Sequence, residues 1–299
     1  MAFATAPEEV VGPHDVDRPL HDAAAGPAGY DLEHLVWSDP DAPWDDFDLV
    51  VVRSTWDYLE RLEAFRTWLA EVDRLGTLHN PGPVITWNLD KRYLLELAAA
   101  GVPVIPTTVC EDAAAVQAAL AGVAGEVVVK PVVSAGSRLT GRFTRGDAEA
   151  PALAARILAE GTAVMVQPAV ASVATDGEVC TLVFGGAVSH AVRKGPLLEL
   201  GGGLVGGSYG HTLTPETLTP ECRAVVDAAV EAVQVLVAER FGVREPLLYA
   251  RIDVVTLDDG SPAVLEVELA EPALFFEMDP DAAGRFASEV ARRVGLTSH

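Results

Sequence analysis

Cysteine is scarce: Cys110, Cys180 and Cys222 are the only three in 299 residues, and no two form a CxxC pair. A scattered, odd-numbered set argues against a disulfide framework or a zinc site and fits a reducing cytoplasm. Long hydrophobic runs are also missing. No stretch of about 18 apolar residues occurs, so no membrane-spanning helix is expected. The opening MAFATAPEEV has neither a basic segment nor a long apolar stretch, and it is not expected to act as a signal peptide. Positive charge is in short supply: 21 Lys plus Arg against 44 Asp plus Glu leave a formal net charge of -23. Such a surface repels phosphate backbones and anionic lipid, which sets aside nucleic acid and membrane as partners. Internal repeats, low-complexity tracts, Walker A strings and HExxH strings are absent as well.

What is present is a chain that is 49% hydrophobic, enough for a large core shared between two or three lobes. Ala2–Ala6 and Asp31–Trp37 read as short strands, and Asp48–Val52 as a buried parallel strand. A helix follows, with Leu62, Phe65, Leu69 and Val72 on one face, which makes half of a βαβ unit. Asn88 reads as the N-cap of the next helix, which Gly101 and Pro103 close. Strands are expected near Val104–Val109, Glu126–Lys130 and Ala163–Gln167, with a loop over Ser134–Gly141 and a helix near Ala152–Glu160. The last part offers strands at Val179–Phe184 and Ala187–Arg193, and a long helix through Val226, Val230, Val233 and Val237. A hairpin, Tyr249–Leu257 with Ala263–Leu269, and a final helix complete it. The expected architecture is therefore α/β with α+β lobes. Residues 1–87 form an N-terminal α/β lobe, 88–166 a small central lobe and 167–299 a C-terminal lobe.

Chemistry concentrates in the hairpin YARIDVV…VLEVEL. Alternation puts Glu266 and Glu268 on one face. If Asp258–Ser261 form a four-residue loop, Leu257 pairs with Pro262 and Asp253 falls opposite Glu266. Carboxylates this close repel unless something positive lies among them, and oxygen-only ligands suit Mg²⁺ or Mn²⁺. The alternative is a solvated acidic strand face, and a register slip of one residue would remove Asp253 from the cluster. Arg251, on the same face, pairs with Asp253 or with a glutamate. Lys130 ends the run EVVVK beside a Gly/Ser loop whose N–H groups suit phosphate; a snorkelling lysine is the plainer reading. Lys91 lies in a first helical turn, where the dipole disfavours a cation unless an anion or Asp90 compensates. Arg53 follows a parallel strand at the end where open α/β sheets place ligands, and it grips either a carboxylate or Asp57. Arg193 and Lys194 end another strand before a glycine-dense loop, Gly201–Gly210, and a solvated charge pair is equally consistent. His190 and His211 have no partner pattern. The GxGxxG and GxSxG strings in that loop, the latter around Ser208, lack their strand-to-helix context and read as chance matches.

In this order the pieces resemble an ATP-grasp enzyme, similar to glutathione synthetase and the RimK-type ligases, over most of the chain after residue 48. The resemblance implies ATP and Mg²⁺ (or Mn²⁺) as cofactors. It implies that Lys91 and Lys130 hold the nucleotide phosphates, with Ser134, Gly136 and Ser137 in the loop that closes over them. Within MVQPAV, Gln167 and Val170 fall in the interlobe hinge whose backbone reads adenine, and Glu178 matches an acid near the ribose. Asp253, Glu266 and Glu268 match the metal ligands, although the usual E-x-N reads ExE here. Arg193 and Arg53 are the candidates for anchoring the reacting carboxylate. VVRSTWDY, WNLDKRYLLELAAAGVPV and LEVELAEPALFF further resemble a bacterial ATP-grasp subgroup that includes the cyclo-ligase converting O-ureido-serine to cycloserine. That likeness implies a small amino-acid-like substrate activated as an acyl phosphate. Two other readings stay open, an intermolecular carboxylate–amine ligase and a nucleotide-binding regulatory module without turnover. Homo-oligomerisation is open too.

Overall fold

The computed structural model describes residues 1–196 and 212–296. The glycine loop Gly201–Gly210, with Ser208, and His211 lie outside the described residues.

Three sheets organise the chain. In the first, β1 (Ala2–Thr5), β2 (Glu33–Val36), β3 (Val50–Val52) and β4 (Leu78–His79) run parallel in the order β2-β1-β3-β4. β1 and β3 are buried throughout, as parallel strands covered on both faces must be. The helix Leu62–Asp73 buries Phe65, Leu69 and Val72 with Trp68, following the expected 3,4,3 spacing.

The second sheet is antiparallel: β5 (Thr108–Cys110), β6 (Val127–Pro131), β7 (Gly141–Phe143) and β8 (Val164–Pro168), in the order β5-β8-β6-β7. Helices Ala113–Gly122 and Glu149–Ala159 cover the face carrying Val127, Val129, Val164 and Val166. By alternation Val128, Lys130 and Gln167 face the other way. The sequence reading ended its loop at Gly141, whereas the structure begins a strand there. A Cβ on Gly141 would lie 2.4 Å from the Phe143 ring, so the position needs glycine because the ring packs back over it.

The third sheet is also antiparallel and adds β9 (Glu178–Phe184), β10 (Ala187–Lys194), β11 (Leu213–Glu216), β12 (Tyr249–Thr256) and β13 (Pro262–Glu268), in the order β11-β10-β9-β12-β13. Ala250, Ile252 and Val254 pack under the 22-residue helix Pro220–Phe241, which Thr219 caps. Tyr249 points to the opposite face and meets Phe286 of the final helix, Ala282–Arg293. Arg251 and Asp253 share that face with Tyr249.

The β12–β13 register is subtler than the sequence implies. Thr256, not Leu257, pairs with Pro262, and an irregularity at Leu265 then restores Asp253 opposite Glu266. The extra residue switches phase, so Val264, Val267 and Leu269 all reach the helix-covered core while Glu266 and Glu268 stay on the other face.

Asn88 is not a helix N-cap. It is the last residue of the helix Gly82–Asn88, and the next helix, Tyr93–Ala99, begins past Lys91. Its amide donates to the Val267 carbonyl at 2.8 Å and accepts from Leu269 N at 2.7 Å, which fixes the edge of β13. Asn80 does the same for the neighbouring segments. It donates to the Tyr249 and Leu269 carbonyls, each at 2.9 Å, and accepts from Leu248 N at 2.8 Å. With the side chain wholly buried, Asn80→Ala leaves these backbone groups unpaired. It is expected to lower the unfolding free energy by about 3 kcal/mol, read by urea denaturation.

Candidate functional site

A cleft of about 900 Å³ opens where the three sheets meet. The second sheet contributes Val128, Lys130 and Gln167, the third Glu178, Lys194, Arg251, Asp253, Glu266 and Glu268, and the first lobe Trp56, Tyr58 and Leu59. The connection 168–170, through which the chain passes from one grasping sheet to the other, lines the same space, with Val170 preceding the short helix Ala171–Thr175.

Opposite charges interleave on the cleft wall. Arg251 bridges two acids: Nε and Nη2 each reach Asp253 at 2.9 Å, and Nη2 also pairs with Glu268. Lys91 Nζ sits 2.7 Å from Glu266 and donates to the Ser134 carbonyl at 2.6 Å. Lys194 pairs with Glu178 at 2.5 Å. Burial alone would pull the Lys91 ammonium down, yet Glu266 and its neighbours hold it above its ordinary value. Burial likewise opposes ionisation of Glu266, but Lys91 and Lys130 keep its carboxyl below the usual range. Glu268 goes the other way. Burial, reinforced by Asp253, Glu266 and Glu271, outweighs Arg251 and pushes it up.

Lys130 is buried but makes no ion pair or side-chain hydrogen bond among the described residues. Burial pulls its ammonium below the ordinary value, against the attraction of Glu266 and Glu178. A buried cation without a partner that lines an open cleft suits an anionic ligand. Next to it, the N–H groups of Ser134, Ala135, Gly136 and Ser137 have no backbone acceptor among the described residues, and Gly136 and Ser137 take left-handed conformations with φ of 59° and 56°. That is the form of an anion-binding nest, and it fits phosphate. The donor set of Asp253, Glu266 and Glu268 suits a hard divalent cation, since it is all oxygen, and burial together with the neighbouring acids already disfavours a bare charge on Glu268. Among the described residues the ligating atoms that converge within 4.8 Å of one another are those of Glu178, Cys180 and Asp253, not those of the expected set Asp253, Glu266 and Glu268, because Lys91 and Arg251 stand between the acids; Cys180 pairs with Asp253 across β9–β12.

The structure thus gathers Lys91, Lys130, Ser134, Gly136, Ser137, Gln167, Val170, Glu178, Asp253, Glu266 and Glu268 around one cleft. Gln167 turns its side chain to Thr107, at 2.8 Å. The two arginines do not join this lining. Arg193 pairs with Glu216 at 2.6 Å across β10–β11 and reaches the Asp176 carbonyl at 3.3 Å. Arg53, only 4% exposed, donates to the Pro272 carbonyl at 2.9 Å and to His21, and it lies over the Tyr249 ring. Asp57, its expected partner, instead accepts from Trp37 Nε1 and pairs with Arg61. His190 is structural, with its Nε2 2.9 Å from the Leu274 carbonyl. Sequence reasoning passed over Glu271 and Tyr58, which line the cleft together. Their sole signal was position, directly after the ExE strand and the RSTWD turn.

Comparison with known proteins agrees with this geometry. A family model described as the N-terminal domain of D-cycloserine synthetase DcsG matches residues 1–80. Cycloserine biosynthesis protein DcsG of Streptomyces lavendulae is 40% identical over 294 residues, covering 94% of this chain and 95% of that protein. The chain belongs to the DcsG family. The crystal structure of D-cycloserine synthetase DcsG matches with a TM-score of 0.90 at 38% identity, over 98% of this chain and 99% of that one. The ATP-grasp ligase PsnB, solved with a minimal precursor, Mg and ADP, shares the fold, with a TM-score of 0.65 at 19% identity over 98% and 96% of the two chains. The DcsG-family chain described here accordingly has the ATP-grasp fold and is an ATP-grasp ligase, an enzyme that forms a C–N bond. No helix among the described residues is long and apolar enough to cross a membrane.

Because Lys130 has no other partner, Lys130→Ala is expected to weaken ATP binding at least about 100-fold, the scale of a lost charge-assisted contact, with the fold intact. Isothermal titration with ATP checks this, and unchanged affinity assigns the phosphate to another group.

Proposed function

We propose that this protein is an ADP-forming cyclo-ligase that closes O-ureido-serine to cycloserine in the cytoplasm, after activating its carboxylate as an acyl phosphate. The observation that carries the reading is the single cleft in which Lys130 and the Ser134–Ser137 nest face the carboxylates of β12 and β13. The 40% identity to the DcsG protein of the cycloserine pathway supports the choice of product. In this reading residues 1–87 wall the substrate end, while 88–166 and 167–299 close on ATP.

Lys91 and Lys130 bind the phosphates, and the nest N–H groups orient them. The 168–170 backbone takes the adenine edge and Glu178 lies toward the ribose. Asp253, Glu266 and Glu268 would hold Mg²⁺, which supplies charge neutralisation at the phosphates when bound. Arg251 holds Asp253 and Glu268 apart in fixed positions, so the carboxylates stay preorganised rather than repelling one another. The substrate carboxylate oxygen forms a bond to the γ-phosphorus as the bond to ADP breaks. The nitrogen attached to the side-chain oxygen then attacks the acyl carbon, phosphate departs, and a five-membered ring closes. Hydrolysis of the carbamoyl group releases carbon dioxide and ammonia. No side chain forms a covalent bond, so positioning supplies the acceleration. Arg53 braces the wall behind the substrate through Pro272, and Arg193 braces the β10–β11 edge.

Incubation with ATP, Mg²⁺ and O-ureido-serine alone is expected to yield ADP, phosphate and cycloserine by mass spectrometry. A strict need for an added amine would show an intermolecular ligase, and ATP binding without phosphate release from any carboxylic acid would show a regulatory module. Glu266→Gln is expected to lower turnover by about two to three orders of magnitude, as removal of a preorganised charge does, with ATP-independent thermal stability retained. Near-normal turnover removes Glu266 from the metal shell.

A further inference from the structure

Each acid on the third-sheet wall has a cation within ion-pair distance: Glu266 has Lys91, Asp253 and Glu268 share Arg251, and Glu178 has Lys194. Glu271, which lines the same cleft just beyond β13, has none among the described residues, and its carboxylate lies close to the Tyr58 hydroxyl. It lies beside Tyr58 of the first lobe, and Arg251, Lys91 and Arg53 attract it without reaching ion-pair distance.

The segment that carries Glu271 is clamped at nearly every residue. Tyr249 donates to the Ala270 carbonyl. Arg53 Nη2 donates to the Pro272 carbonyl at 2.9 Å, and Arg251 Nη1 reaches the Ala273 carbonyl at 3.5 Å. Asp17, itself buried, accepts from Leu274 N at 2.6 Å and Phe276 N at 3.0 Å. Phe275 is held in a left-handed conformation, φ 51°, which a bulky residue rarely adopts. Two buried charges, Arg53 and Asp17, are thus committed to fixing Pro272, Leu274 and Phe276, none of which is a phosphate or metal ligand. What the clamp does present to the cleft is Glu271.

We propose that Glu271 receives the α-ammonium of the amino-acid substrate, with Tyr58 orienting the carboxylate and the Arg53–Asp17 clamp fixing its position. This deepens the cyclo-ligase reading and rests on it for the substrate. The ammonium supplies the cation that Glu271 lacks, and it sets which end of the substrate points toward the γ-phosphate. A second metal ion is a poorer occupant, because the neighbouring acids Glu266 and Glu268 are already paired with Lys91 and Arg251 and a tyrosine hydroxyl lies beside Glu271.

The test compares kcat/KM for O-ureido-serine with that for its des-amino counterpart, 3-(ureidooxy)propanoic acid, in the wild type and in Glu271→Gln. The wild type is expected to favour the amino compound by about 100-fold, the scale of a buried charge-assisted hydrogen bond, and E271Q to bring the ratio near one with KM for ATP unchanged. An unchanged ratio in E271Q, or an equal loss on both compounds, overturns the assignment. If E271Q does not fold, as judged by ATP binding, Glu271→Asp is read by the same ratio. Wild-type turnover of a different amino acid but not of O-ureido-serine sinks the cyclo-ligase reading alone. The ratio is then measured on that acid and its des-amino form, and it still decides the role of Glu271.

Discussion

The site depends on charge pairing across one strand face in an otherwise acidic protein. Asp253, Glu266 and Glu268 can stand together because Arg251 lies between two of them and Lys91 meets the third. Without these cations, burial and mutual repulsion would protonate the cluster or push the strands apart. The pairing is nearly complete but not fully so. Lys130 and Glu271 are left over in the same cleft, and the proposed reactants, ATP and an amino acid, would bring phosphate to the one and ammonium to the other.

The fold exists to bring these groups within reach. Lys130 belongs to the second sheet and the carboxylates to the third, so neither sheet alone makes a nucleotide site. Buried asparagines tie the third sheet to the segment after β4: Asn88 seats the edge of β13, and Asn80 joins the β12 and β13 ends to the turn after β4. Such side chain–backbone bonds are costly to lose in the interior, so the seat of the third sheet on this segment is specified and not left to apolar contact.

Much of this was legible in the sequence because period and position carry it. The alternation of YARIDVV and VLEVEL placed Arg251, Asp253, Glu266 and Glu268 on one face, and EVVVK placed its lysine at a strand end. The Asp253–Glu266 pairing emerged even though the loop register assumed was one residue off, since the irregularity at Leu265 cancels the error. What stayed illegible depends on partners distant in the chain. Nothing near Asn88 shows that its amide serves residues about 180 positions away, so it looked like a cap. Arg53 sits where open sheets bind ligands, but Pro272 and Tyr249, more than 190 residues on, take its guanidinium. Glu271 lies in no periodic element, so only the assembled cleft shows it.

The most direct test of one shared site is a crystal structure with Mn²⁺ and a non-hydrolysable ATP analogue, using anomalous scattering to locate the metal. The account predicts a manganese peak bounded by Asp253, Glu266 and Glu268, with the γ-phosphate within hydrogen-bond distance of Lys130 Nζ. Metal density elsewhere, or a triphosphate bound away from Lys130, would contradict it.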